Sequence, residues 1–312
     1  MNNRKEMLKK LQDHEVCIDV HSHCGEVSLY NLQHERLHTT QNMRDLSLKM
    51  RLAKVDYFVV FLMASSMYFD TRDFSRSGLE EYPYQLGNGA LFYEASLFGD
   101  RALPFMAIHP NVEEEKQLIA LEERLSRDHL FGLKFHTLAT HSKVSNLINS
   151  KFPEFLEKNK LPILIHSSDF DEYSDPNEIF KFLDLYPDIR VTIAHCGFFN
   201  AEFMNRAKDF QNLFIDSSSF NVLCQIFDRR ENKKGKIELD WKDPKKAFAE
   251  IYNMVPKQFL WGSDEPWTCY TDYSGELIVN GDLFKEKELL DAQVTSIRKG
   301  VSYHSTMRFL LG

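Results

Sequence analysis

Residues 16–23, VCIDVHSH, form a short apolar run that ends in two histidines. Seven more short apolar runs follow along the chain, and most are nearly continuous in apolar character: residues 57–62, 103–108, 130–135, 163–165, 191–194, 213–215 and 259–261. Because these runs show little alternation of apolar and polar residues, they predict strands that are buried on both faces. Together with residues 16–20, they make eight candidate strands.

Helical patterns separate these strands. Leucines recur at helical spacing in residues 112–127, behind an acidic first turn. Asp175-Pro176 and Asp243-Pro244 each place a proline at the first position of a helix. Eight strands that alternate with helices predict a (β/α)8 TIM barrel of the α/β class. An open doubly wound sheet is the alternative, but no G-x-G-x-x-G pattern follows the first strand.

The chain is longer than the barrel requires. A TIM barrel usually takes about 250 residues, and this chain has 312. We expect one domain over residues 1–312, with the surplus in an N-terminal helix and two long loops. The loops are predicted after the second strand, at residues 65–99, and after the eighth, at residues 263–282.

Composition and charge narrow the class of partner. The 38 Lys and Arg residues are outnumbered by 46 Asp and Glu, so no basic surplus is present to neutralise a nucleic acid backbone. The longest apolar stretch, residues 57–64, is far shorter than the roughly 20 residues that span a bilayer. The five cysteines form no C-x-x-C pair, which favours reduced thiols. We therefore expect a cytoplasmic protein with a small-molecule substrate, and neither nucleic acid nor membrane as a partner.

Polar residues stand at the ends of the predicted strands, where TIM barrels place their active sites. His21 and His23 alternate along the first strand, so both side chains point to the same side. His166 and His195 end the fifth and sixth strands, and Asp264 follows the eighth. Imidazoles and a carboxylate that converge in this way predict a site for a divalent metal ion, with Zn²⁺ the expected one.

Each of these signals is weak when taken alone. An H-x-H pair arises by chance in a histidine-rich chain, His166 could be a core histidine, and Asp264 could cap a turn. The combination is more specific, because six of the twelve histidines lie at or near predicted strand ends: His21, His23, His109, His136, His166 and His195. Buried imidazoles without partners cost stability, so this clustering indicates a shared ligand or a water-filled cleft.

These segments, in this order, resemble the amidohydrolase superfamily and, within it, the amidohydrolase-2 group of TIM-barrel metal-dependent hydrolases and decarboxylases. The matching segments are residues 18–23 (IDVHSH), 132–136 (GLKFH), 161–166 (LPILIH), 193–197 (IAHCG), 214–218 (FIDSS) and 260–266 (LWGSDEP). The last residues, 308–312, are similar to the closing helix of the group. Residues 63–100 and 268–300 carry no matching pattern, so the resemblance implies the reaction centre and leaves the substrate open.

The resemblance implies roles for the matched residues. His21, His23, His166 and Asp264 would bind the metal, and Asp264 would also act as the proton-transfer base. His195 would be the second catalytic residue and would polarise a substrate carbonyl. The implied activity is hydrolysis of a small-molecule amide, lactone or ester by a metal-activated water. A non-oxidative decarboxylase or other lyase with the same ligands is the alternative.

Four further residues have open roles. In binuclear members of the superfamily, a carboxylated lysine at the end of the fourth strand bridges two metals, and Lys134 stands on that strand. We expect one ion, with Lys134 and His136 lining the pocket as substrate contacts, and two ions as the alternative. Arg72 and Arg76, in the loop after the second strand, could supply a cation for a substrate carboxylate.

Other functions remain open at the level of sequence. A TatD-like nuclease on the same barrel is disfavoured by the net charge of −8 and by Lys134, where those enzymes carry a glutamate. A non-catalytic barrel that keeps its metal for stability is a further alternative. Isologous dimers are the commonest assembly, so a homodimer is also an open alternative to a monomer.

Overall fold

Eight parallel strands form the centre of the molecule. The computed structural model describes residues 4–26, 40–63, 68, 75–127, 130–271 and 277–312. A ninth, two-residue strand, β2 (Thr40–Gln41), pairs antiparallel with the end of β1. The parallel strands, each hydrogen-bonded to the next, are β1 (Ile18–Glu26), β3 (Tyr57–Leu62), β4 (Ala102–Ile108), β5 (Gly132–Phe135), β6 (Ile163–Ile165), β7 (Val191–Ile193), β8 (Leu213–Asp216) and β9 (Phe259–Leu260).

Backbone hydrogen bonds between the first and last parallel strands close the barrel. The amide of Val20 donates to the carbonyl of Trp261 at 3.1 Å, and the amide of Asp264 donates to the carbonyl of His21 at 2.8 Å. Ser22 and Glu265 form a parallel bridge beyond these bonds. The predicted (β/α)8 barrel is confirmed, and its closure brings the segment of Asp264 directly beside the two histidines of β1.

Helices fill the connections between the strands and surround the barrel. They are α1 (Arg4–Asp13), α2 (Met43–Leu52), α3 (Gln85–Phe98), α4 (Glu114–Ser126), α5 (Val144–Ile148), α6 (Phe152–Asn159), α7 (Ile179–Leu185), α8 (Ala201–Ala207), α9 (Phe220–Arg229), α10 (Pro244–Met254), α11 (Leu283–Asp291), α12 (Thr295–Lys299) and α13 (Ser305–Leu311). The Asp-Pro signals act as expected: Asp175 accepts a hydrogen bond from the amide of Asn177, and Asp243 from that of Lys246. Within the described residues, none of these helices has the length and apolar character needed to cross a membrane.

Both stretches predicted as long loops contain regular structure. Helix α3 occupies much of the first, although Gly87 and Gly89 weaken its helical pattern. A β-carbon at Gly87 would lie only 2.5 Å from the side chain of Leu62, so the glycine permits close contact between helix and barrel. The buried side chain of Asn88 exchanges two hydrogen bonds with the backbone of Ala107 in β4. These tertiary contacts stabilise a helix that propensity alone does not predict.

In the second of these stretches, a two-stranded antiparallel hairpin, β10 (Cys269–Thr271) and β11 (Leu277–Asn280), follows the segment of Asp264.

Two apolar layers position the site. Side chains inside the barrel, including Val20, Phe61, Phe105 and Phe214, pack together in one cluster. A larger cluster lies between the strands and the surrounding helices. The strands are therefore buried on both faces, as their continuous apolar character predicts. The polar strand ends then stand above a filled barrel rather than in an open channel.

Candidate active site

His21, His23 and Asp264 converge at the carboxyl ends of β1 and β9. The Nε2 atoms of both histidines lie 3.1 Å from Oδ1 of Asp264. All three side chains are almost completely buried. The ring of Phe61 packs edge-to-face with both imidazoles, and its centroid lies 4.8 Å from that of His21 and 4.5 Å from that of His23. Two imidazole nitrogens thus face one carboxylate oxygen in a small, enclosed space.

The Nδ1 atoms of His21 and His23 face hydrogen-bond acceptors, whereas their Nε2 atoms face Asp264. Nδ1 of His21 lies 2.9 Å from Oδ2 of Asp216, and Nδ1 of His23 lies 3.3 Å from the carbonyl oxygen of Leu62. In each neutral imidazole a proton on Nδ1 leaves a lone pair on Nε2 that faces Oδ1 of Asp264, an arrangement stabilised by a cation between them; without a cation, Nε2 of His23 is placed to donate to Oδ1 at 3.1 Å. Nε2 of His21 has no partner in hydrogen-bonding geometry within the described part of the chain. Such nitrogens suit a divalent cation, so the residues present fit the predicted metal site.

Asp264 is held as a charged carboxylate. Its backbone lies in the left-handed region, with φ of 65°, and Ser219 Oγ donates a hydrogen bond to Oδ2 at 2.6 Å. Burial alone would raise the pKa of Asp264, but the neighbouring His195 and His21 lower it well below its usual value. The carboxylate is therefore available at neutral pH both to a cation and to a proton.

Three more histidines extend the cluster. Nε2 of His195 lies 3.2 Å from Nδ1 of His166, and the rings of His166 and His136 stack with centroids 4.0 Å apart. Burial lowers the pKa of His195, and it lowers those of His136 and His166 well below the usual value. These imidazoles are consequently neutral at pH 7. Nδ1 of His136 accepts a hydrogen bond from the amide of Ala139 at 3.2 Å.

One group of potential ligand atoms in the cleft differs from the predicted metal set. Among the described residues, atoms of His21, His195 and Asp264 all lie within 4.8 Å of one another. His195, predicted as a catalytic residue, is thus part of this group, and Nδ1 of His195 is 4.0 Å from Oδ2 of Asp264. His166 adjoins the group through its contact with His195.

Lys134 is a buried cation beside these residues. Its Nζ atom lies 4.5 Å from the centroid of Phe61 and has no hydrogen-bond partner among the described residues. Burial lowers its pKa to about 7, although Asp216 and Asp264 oppose that effect. This amine can therefore exist in both protonation states near neutral pH.

The backbone at His195 and the four residues after it adopts the left-handed conformation. Residues 195–199 all have positive φ, between 49° and 57°. Four of the five are not glycine, and the left-handed conformation costs such residues roughly 1–2 kcal/mol each. At Gly197, a β-carbon would lie 2.5 Å from the ring of Phe203. Strain of this kind persists only where surrounding contacts maintain it, and it is common at functional sites.

Two arginines, Arg72 and Arg76, were predicted for a substrate loop. Arg72 lies outside the described residues. Arg76 is half exposed, with Nη1 3.8 Å from Oε1 of Glu113 and its guanidinium 5.4 Å from the ring centroid of Tyr68. These contacts join Arg76 to the residue that precedes α4 and to Tyr68, and its role as a substrate contact stays a prediction.

Several residues of the site were not assigned a role from the sequence. Ser218 contacts His195 and Ser219 contacts Asp264; Ser218 is the last residue of the quoted segment 214–218, and Ser219 follows it. Arg230 and Lys236 both pair with Asp169, three residues after His166, at 2.7 and 2.8 Å. The serine beside a strand-end aspartate could have been noticed in the sequence. These two ion pairs join residues more than 60 positions apart, so no local pattern in the sequence predicts them.

Comparison with known proteins decides the family. A family model for amidohydrolases, that of the amidohydrolase-2 group, matches residues 18–300. The chain belongs to the amidohydrolase family. The matched range begins at the first residue of β1 and includes every histidine and aspartate of the cluster. The resemblance seen in the sequence is thereby confirmed, while no curated protein matches the chain.

Solved structures of this amidohydrolase's fold are similar over almost their whole length. One is a 5-carboxyvanillate decarboxylase from Sphingomonas paucimobilis, with a TM-score of 0.62, 11% identity, and coverage of 95% of this chain and 99% of the other. Another is a probable 2-pyrone-4,6-dicarboxylic acid hydrolase from Acinetobacter baumannii, with a TM-score of 0.59, 15% identity, and coverage of 94% and 98%. A third is a 5-carboxyvanillate decarboxylase from Novosphingobium aromaticivorans with bound manganese, at 0.61, 10%, and 95% and 97%. At these identities the similarity shows a shared fold.

Proposed function

We propose that this amidohydrolase is a metal-dependent hydrolase of a small-molecule amide, lactone or ester. The observation that supports this most directly is the convergence of His21 and His23 on one oxygen of Asp264, at 3.1 Å from each Nε2. With a proton on each Nδ1, held by these acceptors, the two Nε2 atoms have lone pairs to offer a cation. Two such nitrogens and a charged carboxylate bind a divalent cation well. His166 supplies the third imidazole in this proposal.

Each residue of the cleft has a separate role in the proposed hydrolysis. A divalent ion, when bound, lowers the pKa of water towards neutrality and polarises a carbonyl. Asp264, charged and close to both histidines, takes the proton of the attacking water and delivers it to the leaving group. His195 borders the same space as a neutral imidazole, which can donate or accept a hydrogen bond with the substrate. Ser219 holds Oδ2 of Asp264 and leaves Oδ1 facing the histidines.

We propose one ion per chain, with Zn²⁺ as the first choice. Nitrogen and carboxylate donors suit Zn²⁺, but they also accept Mn²⁺, which the structure from Novosphingobium aromaticivorans contains. Metal analysis of purified protein, followed by reloading of the metal-free form with each ion, identifies the one that restores activity.

Decarboxylation is the second candidate. Two of the structurally similar proteins are decarboxylases by name, and the buried cation Lys134 would attract a substrate carboxylate to the cleft. The hydrolase and the decarboxylase would use the same metal ligands, so only the products separate them. Release of CO₂ from an aromatic carboxylic acid, without hydrolysis of any ester, lactone or amide, would select the decarboxylase.

The test is a substrate screen with matched variants. Metal-free protein is loaded with Zn²⁺ or Mn²⁺ and assayed against lactones, esters, amides and aromatic carboxylic acids. His23→Ala removes a proposed ligand, so we expect its metal content and turnover to fall together by at least about 100-fold. His14→Ala, at an exposed position outside the site, controls for the loss of an imidazole and should keep both. Unchanged metal content in His23→Ala would contradict the proposed site.

A further inference from the structure

Asp216 connects two histidines of the cleft through its two oxygens. Oδ2 lies 2.9 Å from Nδ1 of His21. Oδ1 accepts hydrogen bonds from the backbone amides of His195, at 3.1 Å, and Ser218, at 3.0 Å. Because two amide hydrogens point at Oδ1, this oxygen acts as an acceptor and carries no proton.

The hydroxyl of Ser218 fixes the direction of the next hydrogen bond. Ser218 Oγ lies 2.5 Å from Oδ1 of Asp216 and 2.9 Å from Nδ1 of His195. A hydroxyl has one hydrogen, and Asp216 must receive it, since an unprotonated oxygen cannot donate. Nδ1 of His195 must therefore donate to Oγ. The carbonyl oxygen of Ser218, 3.3 Å from the same nitrogen, can only accept and so requires the same proton on Nδ1.

The tautomer of His195 also determines the donor in its hydrogen bond with His166. With its proton on Nδ1, neutral His195 has a lone pair on Nε2, which lies 3.2 Å from Nδ1 of His166. His166 must then donate from Nδ1, which leaves its own Nε2 unprotonated. One chain of hydrogen bonds thus runs from His166 through His195 and Ser218 to Asp216, and every donor in it is determined.

We propose that Ser218 is a positioning residue that fixes the tautomers of His195 and His166. The inference rests on the proposed function only in treating this cleft as the reaction site. It makes Nε2 of His195 a hydrogen-bond acceptor, whereas the sequence comparison led us to expect a donor to the substrate carbonyl. The proton on Nδ1 prevents that nitrogen, 4.0 Å from Oδ2 of Asp264, from binding a cation, and the lone pair of Nε2 already accepts from His166; we therefore place His195 outside the ligand set, although it lies close to His21 and Asp264. His166, with Nε2 unprotonated, remains suited to bind one.

The tautomers can be measured without a substrate. Long-range ¹H–¹⁵N spectra of protein labelled with ¹⁵N-histidine separate protonated from unprotonated ring nitrogens, in the metal-free protein and after loading with diamagnetic Zn²⁺. The variants His195→Gln and His166→Gln assign the two signals. We expect metal-free protein to show both residues protonated on Nδ1 only. Protonation of His195 on Nε2 alone, at a pH where its imidazole is neutral, would overturn the proposal.

Variants at Ser218 test the hydroxyl itself. In Ser218→Ala, the closer acceptor at 2.9 Å is lost and only the carbonyl at 3.3 Å remains, so we expect His195 to change from one tautomer to a mixture. Ser218→Thr keeps the hydroxyl and should restore the single tautomer, while Ser217→Ala removes a neighbouring buried hydroxyl and should not disturb it. If folded Ser218→Ala still showed only the Nδ1-protonated form, the backbone carbonyl of residue 218 would be what fixes the tautomer of His195. That result would refute the role of the hydroxyl. Absence of hydrolysis in the wild type, with His195 and His166 both protonated on Nδ1 only, would count against the proposed function and not against this inference.

Discussion

Oδ2 of Asp216 lies 2.9 Å from Nδ1 of His21, and both side chains are completely buried. Burial alone would raise the pKa of Asp216, but His21 outweighs that effect and holds the pKa at about 2. In turn, burial would lower the pKa of His21, and Asp216 outweighs it. The carboxylate of Asp216 therefore orients the imidazole of His21 and increases the basicity of its Nε2 atom. Carboxylates that bind the second ring nitrogen of metal-binding histidines have the same effect.

Replacing this carboxylate should weaken metal binding. Asp216→Asn keeps the size of the side chain but removes the charge that orients His21, so we expect the affinity for Zn²⁺ to fall by about 10- to 100-fold. Competition between metal-free protein and a chelator of known affinity measures the change. Asp184→Asn, at an exposed position in α7, is the matched control and should bind Zn²⁺ like the wild type. Equal affinities in the two variants would show that Asp216 does not support a ligand.

The sequence was sufficient to predict the barrel because its signal is local. Continuous apolar runs such as residues 57–62 and 163–165 became strands at the predicted bounds, since burial on both faces leaves little freedom for other structure. Helix α3 was missed because contacts such as those between Asn88 and Ala107 compensate for its glycines. Propensity is a property of a short segment, whereas these contacts arise only in the folded chain.

The site was predictable to the level of its strand-end residues. Alternation along β1 was enough to place His21 and His23 on one side, and barrel topology was enough to bring Asp264 to them. Asp19 and Asp216 both lie on barrel strands, and the sequence does not distinguish which of the two orients an imidazole. In the structure Asp216 contacts the ring of His21, whereas Asp19 accepts the backbone amides of His21 and Ser263. That distinction depends on side-chain direction between distant strands, which has no periodic signal.

Lys134 should reduce the stability of the metal-free protein. Its buried ammonium lacks a hydrogen bond, so Lys134→Met should raise the free energy of unfolding by roughly 1–4 kcal/mol at pH 6. The pKa of this lysine is about 7 in the folded chain and 10.5 as its ordinary value. Between these values the unfolded chain binds the extra proton, so the wild type gains stability as pH rises and the advantage of the variant shrinks. Denaturant titrations at pH 6 and pH 9 measure both effects, with Lys181→Met, exposed on α7, as the control.

The same lysine variant tests the number of metal ions. We expect one equivalent of Zn²⁺ per chain in the wild type and one in Lys134→Met, because the proposed ligands are His21, His23, His166 and Asp264. Elemental analysis after removal of loosely bound ions gives the ratio. Two equivalents in the wild type and one in the variant would instead support a carboxylated lysine that bridges two metals.

Glu286 should make stability fall as pH rises. This side chain of α11 is fully buried, Oε1 accepts a hydrogen bond from the amide of Asn221, and Oε2 has no partner among the described residues. Burial raises its pKa well above the ordinary value of 4.5, so above pH 4.5 the folded chain binds the extra proton and loses stability with increasing pH. The slope is about 1.4 kcal/mol per pH unit until the folded-state pKa is passed. Glu286→Gln removes this loss, so its melting temperature should exceed that of the wild type by more at pH 8 than at pH 5. A constant difference, like that expected for exposed Glu288→Gln, would contradict the assignment.

Lys236 should support the left-handed turn that carries His195. Its ammonium, almost buried, donates to the carbonyl of Phe198 at 2.9 Å and pairs with Oδ2 of Asp169 at 2.8 Å. A hydrogen bond to a charged group contributes about 1.5–3 kcal/mol, comparable to the strain of one or two left-handed residues. Lys236→Met keeps the aliphatic part of the side chain and removes both contacts. We therefore expect its free energy of unfolding to fall by about 2 kcal/mol and the turnover of any substrate found in the screen to fall by at least about 10-fold. Lys234→Met, exposed in the same segment, should change neither quantity. If Lys236→Met lost stability and kept full turnover, the turn would hold His195 without help from this lysine.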